Sequence, residues 1–438
     1  MKTPIVWAAT TILCAVPLLA QQSGPSQSSA SDVSALQQQI RDLQDRLISL
    51  EGQMRMLQGA QPATAAPAAG APQPSVPAVP TPQIPAAGVT ATGDQTPTLG
   101  GAGGSAAKAL NPDISVIGDF VGAAGTGTVP ALAQQQPFPS MQMHESEIGL
   151  QAIIDPYARG DFFISFGEAG VNLEEGYITF TALPESFVVK VGKMRSAFGK
   201  VNMMHNHVLP WIDRPLATTN LLGGEDGIDD AGVSIQRIIP APKGIFLEAT
   251  GQLFRGDSGE GLQSVFKSWQ RSDVSTVAHL RSYKDLSEST NLDLGVSYAR
   301  GYNDFGPGFI TNLYGVDATV RWKPLRRSIY HSFIGRSELF WSQRQQRPVE
   351  QRAFGFYTSA DYQLGRRWFL GGRFDRSDRS QFANLTDKGA SVVLTYWPSE
   401  FSQVRGQYRF SNYAENRSAN ELLLQLIFSL GAHGAHPF

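Results

Sequence analysis

Residues 420–430, Asn-Glu-Leu-Leu-Leu-Gln-Leu-Ile-Phe-Ser-Leu, put Leu422, Leu424, Leu426, Phe428 and Leu430 on one parity and Gln425 and Ser429 on the other. Successive side chains of a β-strand point to opposite faces, so this segment has one apolar face and one polar face. From about Asp113 to the terminal Phe438 the chain repeats the pattern, with very short connections and longer polar ones in turn. A soluble sandwich shows the same alternation but does not sort its connections into two length classes. A membrane barrel does, because one rim carries tight turns and the other large loops. The expected fold class is all-β: a transmembrane antiparallel β-barrel.

The pattern resolves into sixteen segments: 114–120, 143–153, 160–167, 174–182, 187–197, 231–239, 244–254, 275–283, 291–300, 311–322, 328–342, 352–364, 368–376, 388–397, 402–411 and 420–430. Fourteen or eighteen would also fit. Connections beginning at 155, 183, 240, 284, 323, 365 and 398 are turn-rich, with Asp155-Pro156, Pro184-Glu185 and Pro398-Ser399 among them. The intervening ones read as mostly longer. An even count brings both ends of the barrel out on one side of the membrane. Trp322, Trp341, Trp368, Tyr396 and Trp397 fall near segment ends, where interfacial belts place amphipathic rings.

Composition agrees. Charged residues are 17% and hydrophobic ones 42% of 438 residues, and no apolar run after the N-terminus is long enough for a spanning helix. The net charge of −2 gives no basic field for nucleic acid. The charge is unevenly spread: 14 Lys+Arg and 24 Asp+Glu lie in 111–320, against 17 and 9 in 321–438. In a closed barrel that split would give the lumen an acidic and a basic side. Lys2 followed by the apolar run to Ala20 reads as a signal peptide over 1–20. The single cysteine, Cys14, falls within it, so the mature chain would have no thiol chemistry.

Between the signal and the barrel lie two further regions. Val33, Leu36, Ile40, Leu43, Leu47, Leu50, Met54 and Leu57 are spaced alternately by three and four, which predicts a coiled coil over 31–58. β-branched residues at a with Leu at d favour dimers. Against that, Arg46, Leu47, Leu50 and Glu51 match a short pattern of parallel trimers, and a trimer is expected. Residues 59–109 form a Pro/Ala-rich linker, with nine prolines from Pro62 to Pro97, of extended polyproline character. The barrel takes 111–438.

No nucleophile motif or Gly-rich phosphate loop emerges, so no enzyme, cofactor or catalytic residue is expected. The pairs His205/His207 and His433/His436 have spacing that could bind a metal, but such spacing is commonplace and no metal site is expected. The candidate site is the third long connection, about 198–230, which contains Lys200, Asp213, Arg214, Glu225 and Asp226. A loop this long is functional or disordered. Its Trp, Ile, Leu and Met residues would be poorly solvated unless it folded into the lumen or packed on a neighbouring subunit. Alternation turns Lys190, Arg321, Arg336, Arg373, Arg405 and Arg409 inward, with Asp317, Glu338 and Asp375. An Arg or Lys at mid-bilayer on the lipid face would cost about 2–4 kcal/mol. Arg195 stands at the entrance to the loop. An arginine row facing acidic loop residues would set up a transverse field; alternatively, these arginines only pair with nearby acids.

These features resemble trimeric Gram-negative porins, in particular those with a periplasmic coiled coil and the phosphate-selective group. The heptads of 33–57, the stretch Val191-Gly192-Lys193-Met194-Arg195-Ser196-Ala197-Phe198-Gly199 and the terminal Phe438 carry the resemblance. It implies passive diffusion of small polar or anionic solutes through three barrels in the outer membrane, each narrowed by an inward-folded third loop. Implied partners are two further copies of the chain, outer-membrane lipid and lipopolysaccharide, with peptidoglycan a candidate and nucleic acid excluded. The sequence departs from the family in two ways. Gly431 to Pro437 separate the last strand from Phe438, and the lysine clusters of a phosphate filter are not evident. The Arg195–Gly199 stretch and the histidine-bearing tail are also similar to zinc-regulated outer-membrane receptors, so metal-ion uptake is one alternative. A structural anchor that tethers the coiled coil to the cell wall is another.

Overall fold

A computed structural model describes residues 112–127, 140–167, 170–259 and 263–431. The signal peptide, the coiled coil with Leu36, Ile40, Leu43, Arg46, Leu47, Leu50 and Glu51, the linker and Phe438 lie outside the described residues.

The described chain runs through β1 (Asp113–Gly127), β2 (Met141–Met143), β3 (Ser146–Asp155), β4 (Ala158–Gly167), β5 (Gly170–Phe180), β6 (Phe187–Arg195), β7 (Asp229–Ile239), β8 (Ile245–Phe254) and β9 (Ser275–Ser287). It continues through β10 (Thr290–Tyr302), β11 (Ile310–Trp322), β12 (Phe333–Arg344), β13 (Gln351–Gln363), β14 (Trp368–Asp378), β15 (Thr386–Ser399), β16 (Ser402–Tyr413) and β17 (Arg417–Gly431). From β3 onward each strand pairs antiparallel with the next. β17 returns to pair with β1, from Ser115 opposite Gly431 to Gly127 opposite Ala419, and closes the sheet. β2 and β3 both pair with β1 and form one stave interrupted at His144-Glu145. The result is a closed 16-strand antiparallel barrel.

Closure leaves no sheet edge among the described residues, so apart from the bulges and the break at His144-Glu145 the ladder groups pair without water. The two faces then differ in polarity. Along β17, Leu422, Leu424, Leu426, Phe428 and Leu430 are exposed outward while Gln425 turns inward and is buried. Along β16, Val404, Tyr408 and Phe410 face out, and Arg405, Gln407 and Arg409 face in. At the β15–β16 turn end, Trp368 and Tyr396 pair across strands with centroids 4.5 Å apart. At the opposite end Trp341 and Phe354 pair at 5.3 Å.

The expected sorting of connections into two length classes needs correction. The rim with the turns after β3, β9 and β15 also carries residues 323–332. That connection is longer than 303–309, 345–350, 379–385 or 414–416 on the other rim. Among described residues, the long connections are 196–228 and 255–274. The reason is that most loop-rim connections only reverse the chain, and reversal needs a few residues whichever side it is on.

Alternation also breaks at one functional place. A register shift between Phe163 and Ile164 on β4, opposite β5, turns both Glu174 and Glu175 inward although they are adjacent. A bulge does this by inserting one unpaired residue. It brings two carboxylates to the inner wall beside the loop after β6.

Candidate functional site

The loop between β6 and β7, 196–228, lies inside the barrel and is held by inward-facing side chains. Asn202 ties its base: Nδ2 donates to Ser196 O and Ile228 O, each at 3.0 Å, and Ile228 N donates to Asn202 Oδ1 at 2.8 Å. Beyond that base, Gly199 N donates to Ser297 Oγ on β10 at 3.0 Å. Lys200 N and Val201 N both donate to the Glu338 carboxylate on β12, at 3.1 and 2.9 Å, and Tyr357 OH on β13 donates to it at 2.8 Å. Gly199 has φ 66°, and a Cβ there would stand 2.2 Å from Glu338 Oε2, so the approach needs glycine.

The chain then crosses to the other wall. His205 Nδ1 is hydrogen-bonded to Glu147 on β3, and Nε2 lies 2.8 Å from Glu175 Oε2 on β5. Glu174 Oε2 is 3.2 Å from His205 Nδ1 and also accepts from Arg195 Nη2 at 2.9 Å. Burial lowers the pKa of His205, but the bonds to Glu147 and Glu175 outweigh it and raise the value to about 9. In the ring of strands β3 and β12 stand far apart, so the segment from Val201 to His205 spans the bore.

From Trp211 the loop packs back along β13–β17. Asp213 is its anchor: Oδ2 accepts from Arg373 Nη2 at 2.8 Å and from Arg409 Nη1 at 2.6 Å, and Gln407 donates to Oδ1. Burial pushes the Asp213 carboxyl up, but the two guanidinium groups prevail and hold it at about 2. Trp211 is fully buried, with the Arg373 guanidinium 4.8 Å above its ring and Tyr357 edge-on at 5.2 Å. Arg405 Nη1 donates to Trp211 O at 3.1 Å. A short helix, α1 (Leu216–Leu221), follows, with Leu216 N on Asp375 Oδ1 at 3.2 Å and Asn220 Nδ2 on Asp387 Oδ2 at 2.9 Å. Ile212 meets inward Leu423 and Val121, which explains why an apolar residue stands at an inward position of β17.

Arg373, Arg405 and Arg409 are turned inward, but the loop covers them. They do not face its acids across open water. Arg336 pairs with Asp361. Arg214 binds the loop itself: Nη1 and Nη2 donate to Val201 O and Met204 O at 3.0 and 2.6 Å, and Nε to Asn206 Oδ1 at 2.8 Å. Burial and the nearby Arg195 lower its pKa to about 10. Glu225 pairs with His144 Nε2 at 2.9 Å and accepts from Asn206 Nδ2 at 3.0 Å, while Asp226 contributes its carbonyl to Arg195 Nη1 at 2.7 Å.

The side the loop leaves uncovered is a 340 Å³ cavity, with Lys190, Glu248, Arg281 and Arg321 on β6, β8, β9 and β11 and Lys200 on the loop. Asp293 on β10 gathers three cations there: Lys200 Nζ at 2.5 Å, Arg281 Nη2 at 2.9 Å and Arg321 Nη1 at 3.7 Å. The sequence reading missed Glu147, Glu174, Glu175, Arg281 and Asp293. Parity could have found Asp293, flanked by outward Leu292 and Leu294; the bulge that turns Glu174 and Glu175 in has no such signal.

Two groups of described residues have metal-ligand geometry: Glu147, His205 and His207, and His144, Glu145 and Glu225. Within each group the donor atoms lie within 4.8 Å of one another. The spacing of His205 and His207 alone does not announce a site; the fold adds the carboxylate.

No family model matches the sequence. A protein of Aquifex aeolicus (strain VF5), described as uncharacterized, is 29% identical over 385 residues, covering 76% of this chain and 81% of its own length. Among solved structures the chain is similar to the anion-selective porin from Comamonas acidovorans, with a TM-score of 0.49, 10% identity, and coverage of 73% of this chain and 99% of that one. It is similar to the outer membrane channel DcaP of Acinetobacter baumannii, with a TM-score of 0.49, 12% identity, and coverage of 73% and 96%. It is also similar to OmpF of Salmonella typhi in complex with daunomycin, with a TM-score of 0.48, 11% identity, and coverage of 73% and 98%.

Proposed function

We propose that the chain is an outer-membrane porin, a water-filled channel for passive diffusion of small polar or anionic solutes, narrowed by the loop 196–228. The observation that carries this reading is the loop's double attachment. It is bonded to Glu338 on β12 and to Glu147 on β3, so its backbone crosses the bore rather than lining one wall. An apolar outer face suits lipid, and a charged inner face suits water.

The passage beside the loop sets the selectivity. Around this cavity Lys190, Arg195, Lys200, Arg281 and Arg321 outnumber Glu175, Glu248 and Asp293. In a narrow opening with low-dielectric walls such a balance raises the local concentration of anions. Small dicarboxylates, which two separated cations can hold at once, are the favoured class. The arginines under the loop hold it in place, and the passage is charged by the residues the loop leaves uncovered.

The heptads of 31–58 would join three such barrels in the periplasm, with the linker as spacer and peptidoglycan as a candidate contact. Planar-bilayer recording under a potassium chloride gradient tests the reading. Steady openings with an anion-favouring reversal potential are expected. A cation-favouring potential overturns the selectivity, and a silent bilayer overturns the channel.

A further inference from the structure

We infer that Glu147, His205 and His207 form a binding site for one divalent transition-metal cation of the zinc class, which staples the bore-crossing loop to β3. Their donor atoms lie within 4.8 Å of one another, and all three residues are buried, at 0%, 0% and 2% exposure. Two imidazoles and a carboxylate are a borderline donor set that suits zinc; calcium and magnesium prefer oxygen ligands throughout.

Two independent observations point to a cation. Among the described residues Glu147 Oε1 is buried with no hydrogen-bonding partner, which is costly for a carboxylate oxygen unless something positive meets it. His205 is also aimed at the site: Nε2 lies 2.8 Å from Glu175 Oε2 and Nδ1 is hydrogen-bonded to Glu147, so loss of the Nδ1 proton alone turns a lone pair towards that carboxylate while Glu175 holds the far nitrogen. A carboxylate holding the far nitrogen of a ligating histidine is the usual outer support of a metal site. Charge agrees. Glu147, Glu174 and Glu175 converge on His205, beside two buried cations: Arg195, whose guanidinium is bonded to Glu174 and whose backbone N–H donates to Glu175, and Arg214, bonded to Met204 O and Asn206 Oδ1.

Bonds of about 2.0–2.1 Å in a tetrahedron put ligand atoms about 3.3 Å apart. Glu147 Oε2 and His207 Nδ1 are 4.0 Å apart, and His205 Nδ1 is within hydrogen-bonding distance of Glu147, so small side-chain rotations suffice. On binding, the His205 Nδ1 proton leaves to solvent and the freed lone pair takes the metal. Glu175 also lines the 340 Å³ cavity, which gives the ion a route from the bore.

The site makes no demand on conduction, so its test is separate from that of the channel. Full-length protein carrying His433→Ala and His436→Ala, which removes the tail histidines, is folded in detergent, stripped with chelator, titrated with zinc chloride, desalted and assayed for zinc. One tightly held equivalent is expected, with affinity reduced about tenfold or more by His207→Ala. Cobalt(II) on the parent should give the intense visible bands of a four-coordinate nitrogen–oxygen site, a readout that stands even if His207→Ala does not fold. Equal zinc retention in His207→Ala, no zinc retained by the folded parent, or a weak six-coordinate cobalt spectrum overturns the inference.

Discussion

Asp213 on the loop and Arg409 on β16 meet at 2.6 Å with both side chains almost closed to solvent, 196 residues apart in sequence. Arg373 reaches the same carboxylate at 2.8 Å, so one acid neutralises part of two buried guanidinium groups and fixes the loop to the wall. Substituting Asp213→Ala leaves both arginines buried without that partner. Arg373 keeps Asp375 and Arg409 keeps Glu421, so the loss falls at the low end of the range for breaking a buried pair, about 3 kcal/mol. Limited proteolysis of the loop in increasing urea should show cleavage at lower denaturant than in the parent.

The same contact sets an acid limit. The Asp213 pKa is depressed to about 2, against about 3.9 in an unfolded chain. A depressed carboxyl contributes its stability above the unfolded value and loses it as pH falls through the folded one. The loop should therefore resist pepsin at pH 4 and become cleavable as pH approaches 2. Cleavage beginning already near pH 4 would contradict the pairing.

Gly199→Ala and Gly244→Ala form a matched pair. Both glycines have positive φ, 66° and 83°, so both substitutions carry backbone strain. Only at Gly199 does the new Cβ meet Glu338, which cannot retreat without giving up Lys200 N, Val201 N and Tyr357 OH. Gly199→Ala should be about 2 kcal/mol more destabilising, by denaturant midpoint of the folded barrel.

Charge reversal in the passage should move selectivity without moving the fold. Lys190 and Arg321 are half-buried residues lining the cavity, and neither is bonded to the loop. Lys190→Glu with Arg321→Glu should shift the reversal potential towards cations, while Arg373→Gln, beneath the loop, should act mainly on loop stability.

Much of this was legible in the sequence, because a closed barrel with an apolar outer face and a polar inner face imposes period two on every strand. The sixteen predicted segments overlap the sixteen staves, including the stave broken at His144-Glu145. The loop was legible too: Trp211, Leu216, Leu221 and Ile228 in a long polar-flanked connection need a surface to cover them. Which wall they cover was not. That depends on contacts such as Val201 with Glu338, 137 residues apart, and Asp213 with Arg409, which no local pattern encodes. The inward apolar residues Leu423, Phe340 and Val393, which read as breaks in alternation, are where the loop cluster packs.

Single-channel conductance of a variant lacking 203–226, compared with the parent under the same salt, bears on the centre of this account. Removing a backbone that crosses the bore should raise conductance severalfold and weaken the preference for anions. Unchanged conductance in a variant that still folds as a barrel would mean that the loop does not narrow the passage.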